Sequence, residues 1–227
     1  MDNISFLHTF LHTFLLLLVY SVSFMYFYFK DRNPFFLRPK NYKKLDMMIA
    51  FTFLTSLLFI LWNSFFFNLK FLGLKISNET IFFNDKFVTF LGIALAVIGW
   101  VYTIRSQLIT NMRNHSIQTI MNSRLSDCYN QKLDKIYKIL VNSTTLTLEQ
   151  YESLSFEQKS IVHYILNYYE SVAIGIRYNE FDEEIVKSMT LSQVRKTYDT
   201  FKEVIEHLTH ESPTYFQHFV ALYVRWK

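Results

Sequence analysis

The sequence predicts an all-α membrane protein, three transmembrane helices followed by a cytosolic helical bundle, on three observations. Three long uncharged runs fill its first half, Lys and Arg gather between them, and the second half changes to helical periodicity with polar faces. In 227 residues, 51% are hydrophobic and 19% aromatic. The apolar residues are concentrated in residues 4–29, 47–69 and 87–104, none of which carries a charge. At about 1.5 Å per residue, even the shortest run covers roughly the 27 to 30 Å hydrocarbon core of a bilayer. The first run does not fit a signal peptide, because it lacks a basic leader, is too long, and is followed by no small-residue cleavage site.

Charge orients these spans. No basic residue precedes Lys30, whereas residues 30–46 hold Lys30, Arg32, Arg38, Lys40, Lys43 and Lys44. Cytoplasmic loops collect Lys and Arg, so this connection is expected inside and the N-terminus outside. Residues 70–86 form the outer loop, in which 73–83 suit a short hairpin. The third span is then expected to deliver residues 105–227 to the cytoplasm. Pro34 and Pro39 keep the first loop from becoming helix. From Arg105 onward, 14 Lys+Arg balance 14 Asp+Glu, so the net charge of +4 lies in the membrane half. Without a basic excess, the cytosolic domain is not expected to bind nucleic acid.

Beyond the third span, Ile117, Met121, Leu125, Cys128, Ile136 and Leu140 recur near helical spacing. The span either runs on as one long helix or breaks near Asn114. The only cysteine, Cys128, excludes an internal disulfide and reads as a small core residue. Ser155 and Gln158 make a capping box, opening a helix to about Tyr178 with Ile161, Ile165, Tyr168, Val172 and Ile176 on one stripe. Asp182 is expected to cap a short helix, residues 191–208 to form another, and Ser212 with Pro213 to start the last, whose Trp226 packs back on the bundle.

Several constellations invite a functional reading. Gly92, Ala96 and Gly99 place small residues one turn apart in the third span, a seam for close helix packing or homo-oligomerisation in lipid. In the second span Thr52, Ser56 and Asn63 form a polar stripe, suited to interhelical hydrogen bonds or to lining a pore. His8 with His12, and His207 with His210, offer two metal ligands each but no third, and no metal site is assigned. No phosphate-cradling Gly-rich loop, nucleophile elbow or zinc-protease motif occurs, so no catalytic or cofactor-binding residue is assigned and no enzyme is expected.

The run LNYYESVAIGIRYNEFDEEIVKSM, residues 166–189, followed by helices ending in LYVRW, resembles an uncharacterised bacterial family, a domain of unknown function, over residues 105–227. In such proteins membrane helices precede a cytosolic bundle bearing an LNxxExxAxGxR-like helix. Asn167, Glu170, Gly175, Arg177 and Asp182 are the positions that carry the resemblance. It implies the fold and supplies no activity. Membrane proteins of this architecture also look like effectors or accessories of bacterial anti-phage systems, including those beside RNA-targeting CRISPR nucleases. The function expected is therefore a non-enzymatic, homo-oligomeric protein of the bacterial inner membrane, an effector or accessory that perturbs the lipid membrane or forms a pore in it under control of its cytosolic domain. The alternatives are a scaffold recruiting a cytosolic protein partner and a membrane-bound helical nuclease.

Overall fold

The structure, a computed structural model, describes residues 2–30, 33–40, 42–65, 85–140 and 143–227. The expected hairpin at 73–83 lies outside the described residues. Nine helices occur among them: α1 (Asp2–Lys30), α2 (Lys43–Phe65), α3 (Asp85–Leu125), α4 (Asp127–Ile139), α5 (Leu148–Ser153), α6 (Phe156–Arg177), α7 (Glu183–Thr200), α8 (Lys202–Glu211) and α9 (Gln217–Trp226). No strand occurs among the described residues. The chain forms two compact units, one of Met1–Arg32 with Lys40–Ile109 and one of Asn33–Pro39 with Thr110–Lys227.

In the first unit, Phe59 of α2 is buried against Leu11, Leu15 and Leu16 of α1 and Leu91 of α3, with the Phe90 ring 4.2 Å away. Tyr20 and Thr55 share a 2.8 Å hydroxyl hydrogen bond between α1 and α2. This core is small, and most of the bulk faces outward: Leu17, Phe53, Leu95 and Trp100 are exposed. Two stretches, Lys43–Leu61 and Val88–Leu125, are long and apolar enough to cross a membrane, while α1 contributes a shorter apolar stretch, Thr13–Phe29. The start of α2 lies inside the basic connection, where Asp46 pairs with Arg105 and the Arg105 guanidinium stacks 5.1 Å from the Tyr42 ring.

The second unit is built around α6, whose Ile161, Val162, Ile165, Leu166, Tyr169, Val172, Ala173 and Ile176 are buried. The helix starts where Ser155 accepts from the Gln158 amide and Gln158 reaches back to the Ser155 amide. A second capping box, Thr147 with Gln150, opens α5. Helices α4, α7 and α9 pack on α6, and aromatic rings tie them together: Tyr169 stacks on Phe219 at 5.5 Å, and Tyr198 stacks on Tyr223 at 3.8 Å. Trp226 is buried, and the Trp226 carbonyl at the end of α9 accepts from Arg195 Nε at 3.0 Å, a cation placed at the negative end of the helix dipole.

The structure settles one open alternative and corrects several expectations. Helix α3 runs unbroken through Asn114 to Leu125, the first of the two courses expected. Beyond the third span its core-facing residues are Ser116 and Ile120, while Ile117 (41% exposed), Met121 (44%) and Leu125 (69%) face out. Apolar spacing alone does not mark which of two adjacent stripes is covered, and Ser126 restarts the phase by capping α4. Cys128 in the first turn of α4 is exposed, not a core residue. Residues 183–200 form one helix, α7, because Thr190, which could have capped a new start, is buried and donates to the Val186 carbonyl within the helix, and the break falls at Phe201 instead. The last helix begins at Gln217, four residues beyond the Ser212–Pro213 start, since its cap comes from another helix.

Truncation should separate the two faces of α3. Ile120→Ala is expected to lower the unfolding free energy by about 2 to 5 kcal/mol and Ile117→Ala by under about 1 kcal/mol, read by denaturation of the full chain in micelles. Equal losses would contradict the observed phase.

Candidate functional site

The last turn of α6 collects the chemistry that the sequence singled out. The turn closes on Asn179, which takes the left-handed conformation (φ 57°) open to Asn at little cost. The Asn179 amide donates to the Ile176 carbonyl at 3.0 Å and the Glu180 amide to the Gly175 carbonyl at 2.9 Å, satisfying carbonyls that a helix end leaves unpaired. The chain then folds back so that the Phe181 ring lies on Gly175. A Cβ at that position would come within 2.4 Å of the ring, so the residue has to be glycine.

Asp182 follows and caps α7. Its Oδ1 accepts from the amides of Glu184 and Ile185 at 3.1 and 3.3 Å, and Oδ2 accepts from Arg113 Nε at 3.1 Å. The Asp182 amide donates to Ser116 Oγ, fixing this end of α7 to α3 at 2.8 Å. Glu170, two turns back on α6, caps α9 from outside: Oε1 accepts from the His218 amide at 3.2 Å and Oε2 from the Phe219 amide at 2.7 Å. Helix α9 has no side-chain cap of its own, because Phe216 enters it in the left-handed region (φ 53°). The Glu170 carboxylate therefore meets the positive end of a helix dipole and two otherwise unpaired donors.

Arg177 joins this frame to the segment between α1 and α2. Its Nη1 donates to His218 Nδ1 at 2.8 Å, its Nε to the Phe35 carbonyl at 3.1 Å, and its own carbonyl accepts from the Leu37 amide at 2.7 Å. Asn179 Nδ2 donates to the Arg38 carbonyl, and the Arg38 guanidinium lies 5.0 Å from the Tyr178 ring. On the far side Arg225 stacks over Phe35 and Phe36 at 4.5 and 5.1 Å. Glu183 holds Arg225 in that position with a 2.6 Å and a 2.9 Å hydrogen bond, and also accepts from Trp226 Nε1 at 3.0 Å. Burial works against the Glu183 charge, but the bonds from Arg225 and Trp226 hold its carboxyl below the usual glutamate range.

Asn167 is exposed, and its carbonyl accepts from Ser171 Oγ. Thus Glu170, Gly175, Arg177 and Asp182 share one frame, while Asn167 stands apart. In the other unit, Gly92, Ala96 and Gly99 lie on an exposed face, and among the described residues no atom beyond the surrounding helix backbone lies within 4 Å of a Cβ built on either glycine. Thr52 and Ser56 donate to carbonyls one turn back in α2, at 2.9 and 2.8 Å. The side chains of Asn63, His8 and His12 lie outside the described residues. His207 pairs with Glu211 on its own helix at 3.5 Å, and no group of three or more metal-ligating side chains occurs among the described residues.

Two further polar groups sit in the core. Tyr151 and His163 Nε2 are 2.8 Å apart, and burial lowers the His163 pKa. Tyr129 and Tyr169 share a hydroxyl contact of 3.2 Å; burial raises Tyr129 and pushes Tyr168 up to about 12, keeping both phenols neutral. Chemically, the frame at the end of α6 is a docking site, since its carboxylates and guanidinia are engaged with backbone and with one another. Sequence reasoning missed Phe35, Phe36, Arg38, Asn179, His218 and Arg225. The available signal was the Phe35–Phe36 pair set between Pro34 and Pro39 in an otherwise basic connection.

A family model described as "Domain of unknown function (DUF4760)" matches residues 90–226, beginning inside the third apolar run and not at 105. No curated protein and no solved structure matches the chain.

Gly175→Ala is expected to destabilise the bundle by about 1 to 3 kcal/mol through overpacking. The loss should shrink in a Phe181→Ala background, as a double-mutant cycle would read; an undiminished loss would remove Phe181 as the cause. Loss of the cap in Glu170→Ala should cost about 0.5 to 2 kcal/mol, with slowed protection lost first in α9. Because the folded His163 pKa is lowered, its contribution is complete above about pH 6.5 and is lost as pH falls through that value, where the unfolded chain takes up the proton first. Stability against pH should be flatter below 6.5 in His163→Gln than in the wild type.

Proposed function

The chain belongs to the DUF4760 family, a domain of unknown function, and from that premise we propose a non-enzymatic membrane protein whose helical domain controls what its spans do to the bilayer. The observation that carries this reading is the first unit's surface: large apolar side chains on all three helices face outward around a very small core. In water such a surface is unfavourable, and in lipid it is the ordinary outer face of a spanning helix. On this reading α1, α2 and the first part of α3 cross the membrane, with α1 spanning by tilt-tolerant length.

The docked segment supports one topology for such a protein. Residues 33–39 pack with residues 110–227 in one unit, which fits a first connection and a helical domain on the same side of the membrane. Arg32, Arg38, Lys40, Lys43 and Lys44 in that connection favour the cytoplasm as that side, with the N-terminus external. The outward face at Gly92, Ala96 and Gly99 fits self-association in lipid, by which spans would assemble and perturb the membrane. The setting expected from architecture, bacterial anti-phage defence, belongs to this proposal.

Membrane potential in cells, followed with a voltage-sensitive dye, tests it. Expression of the full chain should depolarise the membrane, and Gly92→Leu or removal of residues 1–104 should abolish the effect at equal expression. A monomeric protein in micelles together with an unchanged potential, with and without phage infection, would sink the proposal. That result would favour the scaffold, for which Phe156, 91% exposed at the start of α6, is the natural contact residue.

A further inference from the structure

The guanidinium of Arg177 carries only donors, so its 2.8 Å contact requires a lone pair on His218 Nδ1. His218 is therefore neutral here, with its proton on the other ring nitrogen, Nε2. The same guanidinium holds the Phe35 carbonyl. One imidazole lone pair thus orients the cation that ties residues 33–39 to the bundle. We propose that residues 33–39 are a pH-sensitive strap, docked while His218 is neutral and loosened when His218 takes up a proton.

Protonation places hydrogen on Nδ1, the proton coming from solvent, so that nitrogen can no longer accept from Arg177. It also sets a second positive charge about 3 Å from the guanidinium, where repulsion is strong in a partly buried site. The groups facing the imidazole are Glu170 and Arg177 from α6, with the Tyr178 ring 6.4 Å away, and on the strap Arg38, which stacks on that same ring. Glu170 favours the protonated form, but both its oxygens are engaged with the α9 amides. Burial and Arg177 oppose protonation, and the net shift is downward, so the strap loosens below pH 6.5 and not above it. Contacts that do not involve His218, from the Leu37 amide to the Arg177 carbonyl and from Arg225 to Phe35 and Phe36, survive protonation and make the change a loosening. The strap is part of the covalent connection between α1 and α2. The inference stands on this geometry and not on the membrane-perturbing role.

Hydrogen exchange by mass spectrometry on the full chain in lipid nanodiscs, at pH 7.5 and 5.5 with labelling times scaled to intrinsic rates, tests it. Losing one charge-assisted hydrogen bond is expected to speed exchange in residues 33–39 by about tenfold at pH 5.5, with α6 unchanged. His218→Asn, which keeps an acceptor near the Nδ1 position and cannot titrate, should stay slow at both values. Arg177→Gln should be fast at both. Equal wild-type exchange at the two pH values overturns the proposal, as does a full pH effect in His218→Asn. Should His218→Asn fail to fold, a pH effect that persists in Arg177→Gln overturns it equally.

Discussion

Helix ends leave backbone donors and acceptors that must find partners, and in the second unit this constraint is met at one place. The last turn of α6 closes on its own carbonyls through Asn179, so the chain reverses in four residues and presents Asp182 to the amides of α7. Two turns earlier, Glu170 reaches across to the amides of α9. Three helix termini are thus satisfied within about a dozen residues of one strand of sequence. The packing of α7 and α9 on α6 follows, because the caps fix where each helix starts before its apolar face is buried.

The same turn explains why a segment distant in sequence belongs to this unit. Residues 33–39 contain two prolines and cannot satisfy their polar groups by forming helix. They find partners instead at a helix end that has acceptors and a guanidinium to offer: the Arg177 carbonyl for the Leu37 amide, Arg177 itself for the Phe35 carbonyl, Asn179 for the Arg38 carbonyl. Phe35 and Phe36 lie under Arg225, a cation that Glu183 already neutralises and orients. The result is a polar, aromatic contact, small enough to be responsive and specific enough to have one register.

The first unit obeys a different rule. Among the described residues its core centres on Phe59 and on the Tyr20–Thr55 hydrogen bond, and many of its large side chains are exposed. Thr52 and Ser56 bond within α2, so two members of the polar stripe meet their hydrogen-bonding needs without a neighbouring helix. Gly92, Ala96 and Gly99 of α3 lie on a face that the described residues leave uncovered.

Much of this was legible locally. Ser155 with Gln158 and Asp182 announced helix starts because a cap is a contact over three residues, and the uncharged runs announced long apolar helices because bilayer thickness and helix rise are fixed lengths. Gly175 was legible as a position that carries the family resemblance, though not that the Phe181 ring closes on it. The covered stripe of α3 was not legible, since Ile117, Met121 and Leu125 repeat as regularly as Ser116 and Ile120 and only neighbouring helices decide between them. Nor was the start of α9, whose cap lies 48 residues earlier in the chain. Sequence by itself determined the all-helical character, the apolar spans, the charge asymmetry and the locally capped ends, all of which depend on neighbours within a turn or two. Tertiary structure alone decided that Glu170, Arg177, His218 and residues 33–39 meet, because that contact joins positions up to 142 residues apart through side chains whose partners no local pattern names.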